Sequence, residues 1–213
     1  MQTDPVGFAS GGNRRSSDGL AVPGRRCKIP RNTGTAGPKG QPMESTKLID
    51  QIVGAYLKPS LQSTGFRKRG ATFWRDHGRM IDVVNLQKSR WNDSRSASFT
   101  VNLGIYWKHI HELLGESVKT FPPKEFQCTV RERLGRLFNL SPEFPNGRDS
   151  WWEVTEASDL ATIGADVVNR IHEFGIPWLE RLHDLEAVMA HLKAHRLYRR
   201  DDTILELHAK GQL

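Results

Sequence analysis

Two stretches of this chain carry amides and hydroxyls at a spacing that gathers them on one surface. In Met80–Lys88, MIDVVNLQK, Asn85 and Gln87 share strand parity, and in Ser98–Trp107, SFTVNLGIYW, so do Thr100, Asn102 and Tyr106. Paired as a hairpin, the two runs form a polar face whose amides offer both donors and acceptors to a polar ligand or a peptide. The same groups also read as a cross-strand ladder that stabilises the sheet or meets water. The loop between the runs carries Arg90, Trp91 and Arg95. Arg and Trp dominate binding hot spots and long hairpin loops often carry them, although a loop Trp equally folds back onto the sheet edge.

A second set is Arg131, Arg133 and Arg136, ahead of the Trp151-Trp152 pair. Guanidinium groups at this spacing bind an anion bidentately with an indole such as Trp152 as a platform, or they pair with Glu132, Glu153 or Glu156. Pairing is the commoner outcome for such arginines. His109-Ile-His111 and His191-Leu-Lys-Ala-His195 have metal-ligand spacing, but the second motif holds no Glu and neither has a third ligand, so both read as surface histidines. The chain contains no Gly-rich phosphate loop, no G-x-S-x-G and no cysteine with a nearby histidine. No catalytic residue, metal ligand or cofactor is assigned from sequence.

These residues need a sheet to hold them. Phe99, Val101, Leu103 and Ile105 alternate with the polar set, the pattern of a half-buried strand. In the first run Ile81 and Val83 point one way and Val84 and Leu86 the other, which predicts burial on both faces or a bulge near Val83. Thr72–Asp76 predicts a preceding strand, with His77-Gly78 as the turn, and Trp151–Val154 a last one. Residues 126–138 fit a strand through Phe126, Cys128 and Val130, or a helix through Val130, Leu134, Leu137 and Phe138.

Before the sheet, Leu48, Ile49, Ile52, Val53, Tyr56 and Leu57 make a helical stripe, with Ser45 as N-cap, a kink at Pro59 and a stop at Gly65. Lys108–Glu116 predicts a short helix. After the sheet, Leu160, Ile163, Val167, Ile171 and Phe174 predict a helix capped by Thr155 or Ser158 and ended at Gly175. Pro177 opens a second helix and Asp184 caps a third. Thr203-Ile-Leu-Glu206 and Gly211 frame a fourth.

Composition narrows the partners. The 213 residues carry a net charge of +7, of which +5 falls in residues 1–42 and +2 in the remaining 171. The basic balance thus belongs to the N-terminal segment, and nucleic acid is an unfavoured partner for residues 43–213, a basic tail being the alternative route to it. With eight glycines, five prolines and no hydrophobic period, residues 1–42 predict a disordered extension, and Met43 offers a start just before the first helix. Residues 43–213 then make a single domain. No apolar run reaches the ~20 residues of a membrane helix, so no membrane partner is expected. Cys27 and Cys128 fit no disulfide or metal spacing and predict free thiols in the cytoplasm.

The run LKPSLQSTGFRKRGATFWR, then VVNLQKS, FTVNLGIY, TVRERLG, Trp151-Trp152 and Ile176-Pro177-Trp178-Leu179, in that order, resembles the bacterial domain of unknown function 4304 family. The resemblance spans Ser45 to Leu192, leaves the N-terminal extension without a counterpart, and implies a small α+β domain and little about function. The expectation is therefore an α+β fold: an antiparallel sheet of four to five strands, an N-terminal helix, and three to four C-terminal helices packed on one face. The leading functional expectation is a non-enzymatic protein- or peptide-binding module. The rival is a small enzyme with its site on the polar face, which a deep pocket with a convergent acid or histidine would favour.

Overall fold

A computed structural model describes residues 44–116, 118, 120–145, 147–195 and 199–213. The expected disordered extension of residues 1–42, with Cys27 and the start at Met43, lies outside the described residues.

The predicted hairpin is the centre of the molecule. Strands β3 (Met80–Lys88) and β4 (Ser96–Trp107) pair antiparallel in an unbroken register from Met80↔Trp107 to Lys88↔Phe99. β2 (Thr72–Asp76) pairs with β3, and β1 (Arg67–Arg69) with β2. On the far side of β4, β5 (Val130–Arg133) and β6 (Trp152–Thr155) share its length, β5 against Asn102–Ile105 and β6 against Ser96–Phe99. The sheet thus has six strands, one more than the expected maximum, because the basic RKR segment adds β1. There is no bulge at Val83. The parity change reflects burial on both faces, since Val84 and Leu86 enter the main core while Ile81 and Val83 join a smaller cluster with Tyr106 and Cys128.

Residues 126–138 contain both predicted structures in succession. A single 3₁₀ turn over Glu125–Gln127 leads to β5, and α4 (Leu134–Phe138) follows directly. β5 covers only Asn102–Ile105 of β4, which runs on beyond it in both directions. Gly104 makes this approach possible, because a Cβ there would stand 2.7 Å from Cys128 Sγ.

Helix α1 (Glu44–Ile52) runs through a π-helical turn (Val53–Leu57) into α2 (Lys58–Ser63), so the register shifts just ahead of Pro59. Ser45 is not the N-cap: it is buried within α1 and donates its hydroxyl to the Asp93 carbonyl, tying the helix to the hairpin loop. Gly65 ends the segment at φ 87°, a left-handed conformation that glycine adopts without strain. α3 (Lys108–Leu113) follows β4. Asp159, rather than Thr155 or Ser158, caps α5 (Leu160–Arg170) by accepting from the Ala161 and Thr162 amides. Gly175 does not stop this helix. It belongs to a second π-helical turn (Ile171–Gly175) that leads into α6 (Ile176–Arg181).

Asp184 caps α7 (Leu185–Ala194) as expected. The Thr203–Glu206 motif lies inside α8 (Arg199–Ala209) and caps nothing. Among the described residues no helix is long and apolar enough to cross a membrane.

One face of the sheet buries Phe73, Phe99, Val101, Leu103 and Ile105 against Ile49, Ile52 and Leu61 of α1–α2, and Val167, Ile171 and Leu179 of α5–α6. Each such side chain contributes about 1.5–3 kcal/mol by leaving water. α7 and α8 enlarge that core through Val188, Met189, Leu192 and Ile204. α8 also reaches beyond it, since Arg200 Nη2 donates to the Cys128 carbonyl at 2.6 Å.

The same core face holds one buried charge. Asp82 on β3 is fully buried and faces Arg75 on β2, whose Nε lies 3.0 Å and Nη2 2.9 Å from Asp82 Oδ2. His77 and His183 stand on the other sides of the same carboxylate.

Candidate functional site

The polar face becomes a site because β5 lies beside β4. Register places Asn85, Asn102 and Arg133 in one cross-strand row, and Gln87 lies diagonally from Asn102. Asn102 Nδ2 donates to Gln87 Oε1 at 2.9 Å, which leaves the Gln87 NH₂ and the Asn102 carbonyl as donor and acceptor for something else. Gln87, Asn102, Arg131 and Arg133 contribute to a cavity of about 700 Å³, with His191 of α7, His195 at its C-terminal end and Arg200 of α8 also in its lining. That volume is in the range of ligand sites, but the lining is far more polar than a small-molecule pocket usually is.

Its charges are arranged in pairs. Arg133 forms an ion pair with Asp149, and its guanidinium lies 5.5 Å from the Trp151 ring, whose Nε1 donates to Asp149 Oδ2 at 3.0 Å. Arg131 stands 3.5 Å from Glu125, and Arg136 of α4 3.6 Å from Glu132 of β5, four residues earlier. The Arg136–Glu132 and Arg200–Glu116 contacts, both at 3.6 Å, are longer than charge-assisted hydrogen bonds. Two polar atoms in the lining are buried without a hydrogen-bond partner among the described residues: Arg200 Nε and Asp149 Oδ1. Buried polar groups are nearly always paired, so this donor and this acceptor in one cavity are open to water or to a polar ligand.

A second pocket of about 460 Å³ shares Glu132, Arg136, His191 and His195 with the first, and is otherwise lined largely by apolar side chains such as Leu137, Leu140, Phe174 and Trp178. A polar cavity and an apolar one thus meet across a common wall.

Burial shifts two groups in the lining. Glu125 is held above the usual carboxylate range by desolvation, which Arg131 and Arg133 oppose. Desolvation, with His195 and Arg181 nearby, pulls His191 from 6.5 down to about 4, so its imidazole is neutral at physiological pH. The unfolded chain therefore binds more protons between these values, and stability present above about 6.5 is lost as pH falls toward 4. In urea titrations a His191→Gln variant is expected to lose less stability than the wild type between about pH 7 and about pH 4. Equal losses would assign the acid sensitivity to other groups.

The structure brings together Gln87, Asn102, Arg131 and Arg133 from the sequence-derived set. Asn85 does not line the cavity: its Nδ2 donates to the Ala71 carbonyl and to Thr72 Oγ1. Tyr106 is buried and stacked on His111 at 3.9 Å, so the polar face is covered at that end. His111 is thus not a surface histidine; its ring reaches Glu116 and Thr129. Trp152 is not beside Arg133: it stacks on Phe99 and donates to Asp166, and Trp151 takes the outer position. Arg90, Trp91 and Arg95 occupy the hairpin loop and line neither cavity, with Trp91 at 79% exposure and Arg90 against its ring.

Sequence reasoning missed Arg200 and Asp149. Neither carries a local signal, since each reaches the sheet from a distant segment. His191 and His195 were visible only as a spacing.

An antiparallel sheet covered by helices, with a polar cavity beside β5, defines a small α+β domain. The sequence model of the family described as Domain of unknown function (DUF4304) matches residues 57–181, and the chain belongs to this family. The matched span runs from the first π-helical turn through α6, so α7 and α8 supply their part of the cavity from beyond it. Searches of curated proteins and of solved structures find no match.

Proposed function

We propose that this domain is a non-enzymatic binding module for a short peptide segment that carries an acidic side chain next to an apolar one. The reading rests on the shared wall of the two cavities, where Arg136, His191 and His195 border both. The Gln87–Asn102 amides and the unpaired atoms of Arg200 and Asp149 match the donors and acceptors of a peptide backbone. The apolar lining accepts the neighbouring side chain. Residues 43–213 act as one domain in this reading, with the near-neutral charge of that span disfavouring nucleic acid. Cys128, a buried free thiol, accords with a cytoplasmic location.

The test is a peptide array graded in acidic and apolar content, probed with the full chain. Acidic-apolar sequences are expected to be enriched, and Arg136→Ala to weaken them by about 10–100-fold, the worth of a hydrogen bond to a charged group. Trp91→Ala leaves binding unchanged, because the loop lines neither cavity. Enrichment that ignores charge, or that survives Arg136→Ala, rejects the proposal.

A second reading is favoured by Glu125 and His191, a carboxyl raised and an imidazole kept neutral in the same cavity. Such a pair suits general acid–base work, and the rival is a small hydrolase acting on the same peptide. Cleavage of an array-selected peptide, abolished by Glu125→Gln, would replace the binding module with the enzyme.

A further inference from the structure

Away from both cavities, His77, Asp82 and His183 bring three potential ligand atoms within 4.8 Å of one another. They come from separate places: the β2–β3 turn, the first turn-proximal residues of β3 and the α6–α7 turn. His77 Nε2 lies 2.9 Å from Asp82 Oδ2, and His183 Nε2 lies 2.8 Å from Asp82 Oδ1. The imidazole centroids are 4.4 Å apart. The Asp82 side chain is fully buried, whereas His77 and His183 are 31% and 25% exposed, so the group opens to solvent on the histidine side.

We propose that His77, Asp82 and His183 form a binding site for a divalent transition-metal ion of the zinc type. Two imidazoles and one carboxylate are a recognised three-ligand set for Zn²⁺, the fourth position being left for water or another ligand. Arg75 already neutralises Asp82 through two contacts to Oδ2, so the histidines are not required to compensate the buried charge. The same guanidinium holds the carboxylate in a fixed orientation and leaves Oδ1 with His183 alone, the arrangement expected of an outer partner that aims a ligand.

The turns that carry the histidines are also fixed. The His77 amide donates to the Met80 carbonyl at 2.9 Å, and the His183 amide to the Glu180 carbonyl at 3.1 Å. Bonds of about 2.0–2.1 Å in a tetrahedron separate ligand atoms by roughly 3.3 Å, a value between the closest present approach of 2.8 Å and the 4.8 Å limit of the group, so a metal needs only side-chain adjustments. The ring proton then resides on Nδ1, and Nε2 coordinates. This site is independent of the peptide cavity and stands or falls separately from it.

The experiment is Zn²⁺ titration of the chelator-stripped full chain by calorimetry, with Co²⁺ substitution read by visible absorption. Wild type is expected to bind one equivalent with a Kd of about 10 µM or tighter. A His77→Ala/His183→Ala double variant keeps the Arg75–Asp82 pair and is expected to lose about tenfold or more in affinity, together with the Co²⁺ band. Single His77→Gln and His183→Gln variants, with circular dichroism to verify folding, each give a partial loss. A His191→Ala/His195→Ala control retains the site. Failure of wild type to bind Zn²⁺, or binding that survives the first double variant or is lost in the control, overturns the proposal.

Discussion

Replacing Arg75 with leucine is expected to destabilise the domain by about 3–5 kcal/mol, the range for removing one partner of a buried ion pair. Asp82 is fully buried, and among the described residues Arg75 is its only cationic partner that does not depend on protonation. Without the guanidinium, the carboxylate either stays ionised in an apolar setting or takes up a proton, and both are unfavourable at neutral pH. The variant also removes the donation from Nη1 to the Thr64 carbonyl and the cation contact with the Phe66 ring at 4.8 Å. Urea unfolding followed by tryptophan fluorescence reads the loss directly. A shift below about 1 kcal/mol would mean that the histidines alone hold the charge. An Arg75→Leu/Asp82→Leu double variant should recover part of the loss, because an apolar pair leaves no orphaned charge.

Truncating Phe99 to alanine is expected to cost about 3–5 kcal/mol, through lost transfer energy and the cavity left behind. Phe99 is fully buried on β4 and pairs in register with Trp152 of β6, whose ring is stacked on it at 5.6 Å. Trp152 in turn donates Nε1 to Asp166 on α5 at 2.8 Å. The deletion therefore loosens the contact that seats β6 and α5 on the sheet. Near-ultraviolet circular dichroism should show a weakened tryptophan signal, and thermal unfolding a lowered Tm. An unchanged Tm would place the seat of β6 elsewhere.

Local pattern carried much of this structure. The β3–β4 hairpin was readable because alternation over nine and twelve residues has one physical meaning when one face must be buried. The parity argument also put Gln87 and Asn102 on a common face, and the cavity uses both. β1 was invisible: Arg67–Arg69 has no apolar period and is a strand only because β2 offers it an edge. Residues 126–138 were ambiguous for a related reason. The apolar positions suit either structure, and the extent of pairing with β4 decides where strand gives way to helix.

Caps show the same division. Asp184 was identified correctly because its helix begins with no competing polar residue, whereas Thr155, Ser158 and Asp159 compete and only the backbone path selects Asp159. By itself, then, the sequence determined the α+β class, the hairpin and the polar face, which follow from periodicity over neighbouring residues, and the family, which its ordered motifs carry by resemblance. Tertiary structure alone decided that Arg200 and Asp149 complete the cavity, that Trp151 rather than Trp152 stands over Arg133, and that His183 meets Asp82 across 101 positions. Such contacts depend on how the layers close over the sheet. No short-range pattern of residue types encodes that closure, because its energy is shared by the whole core.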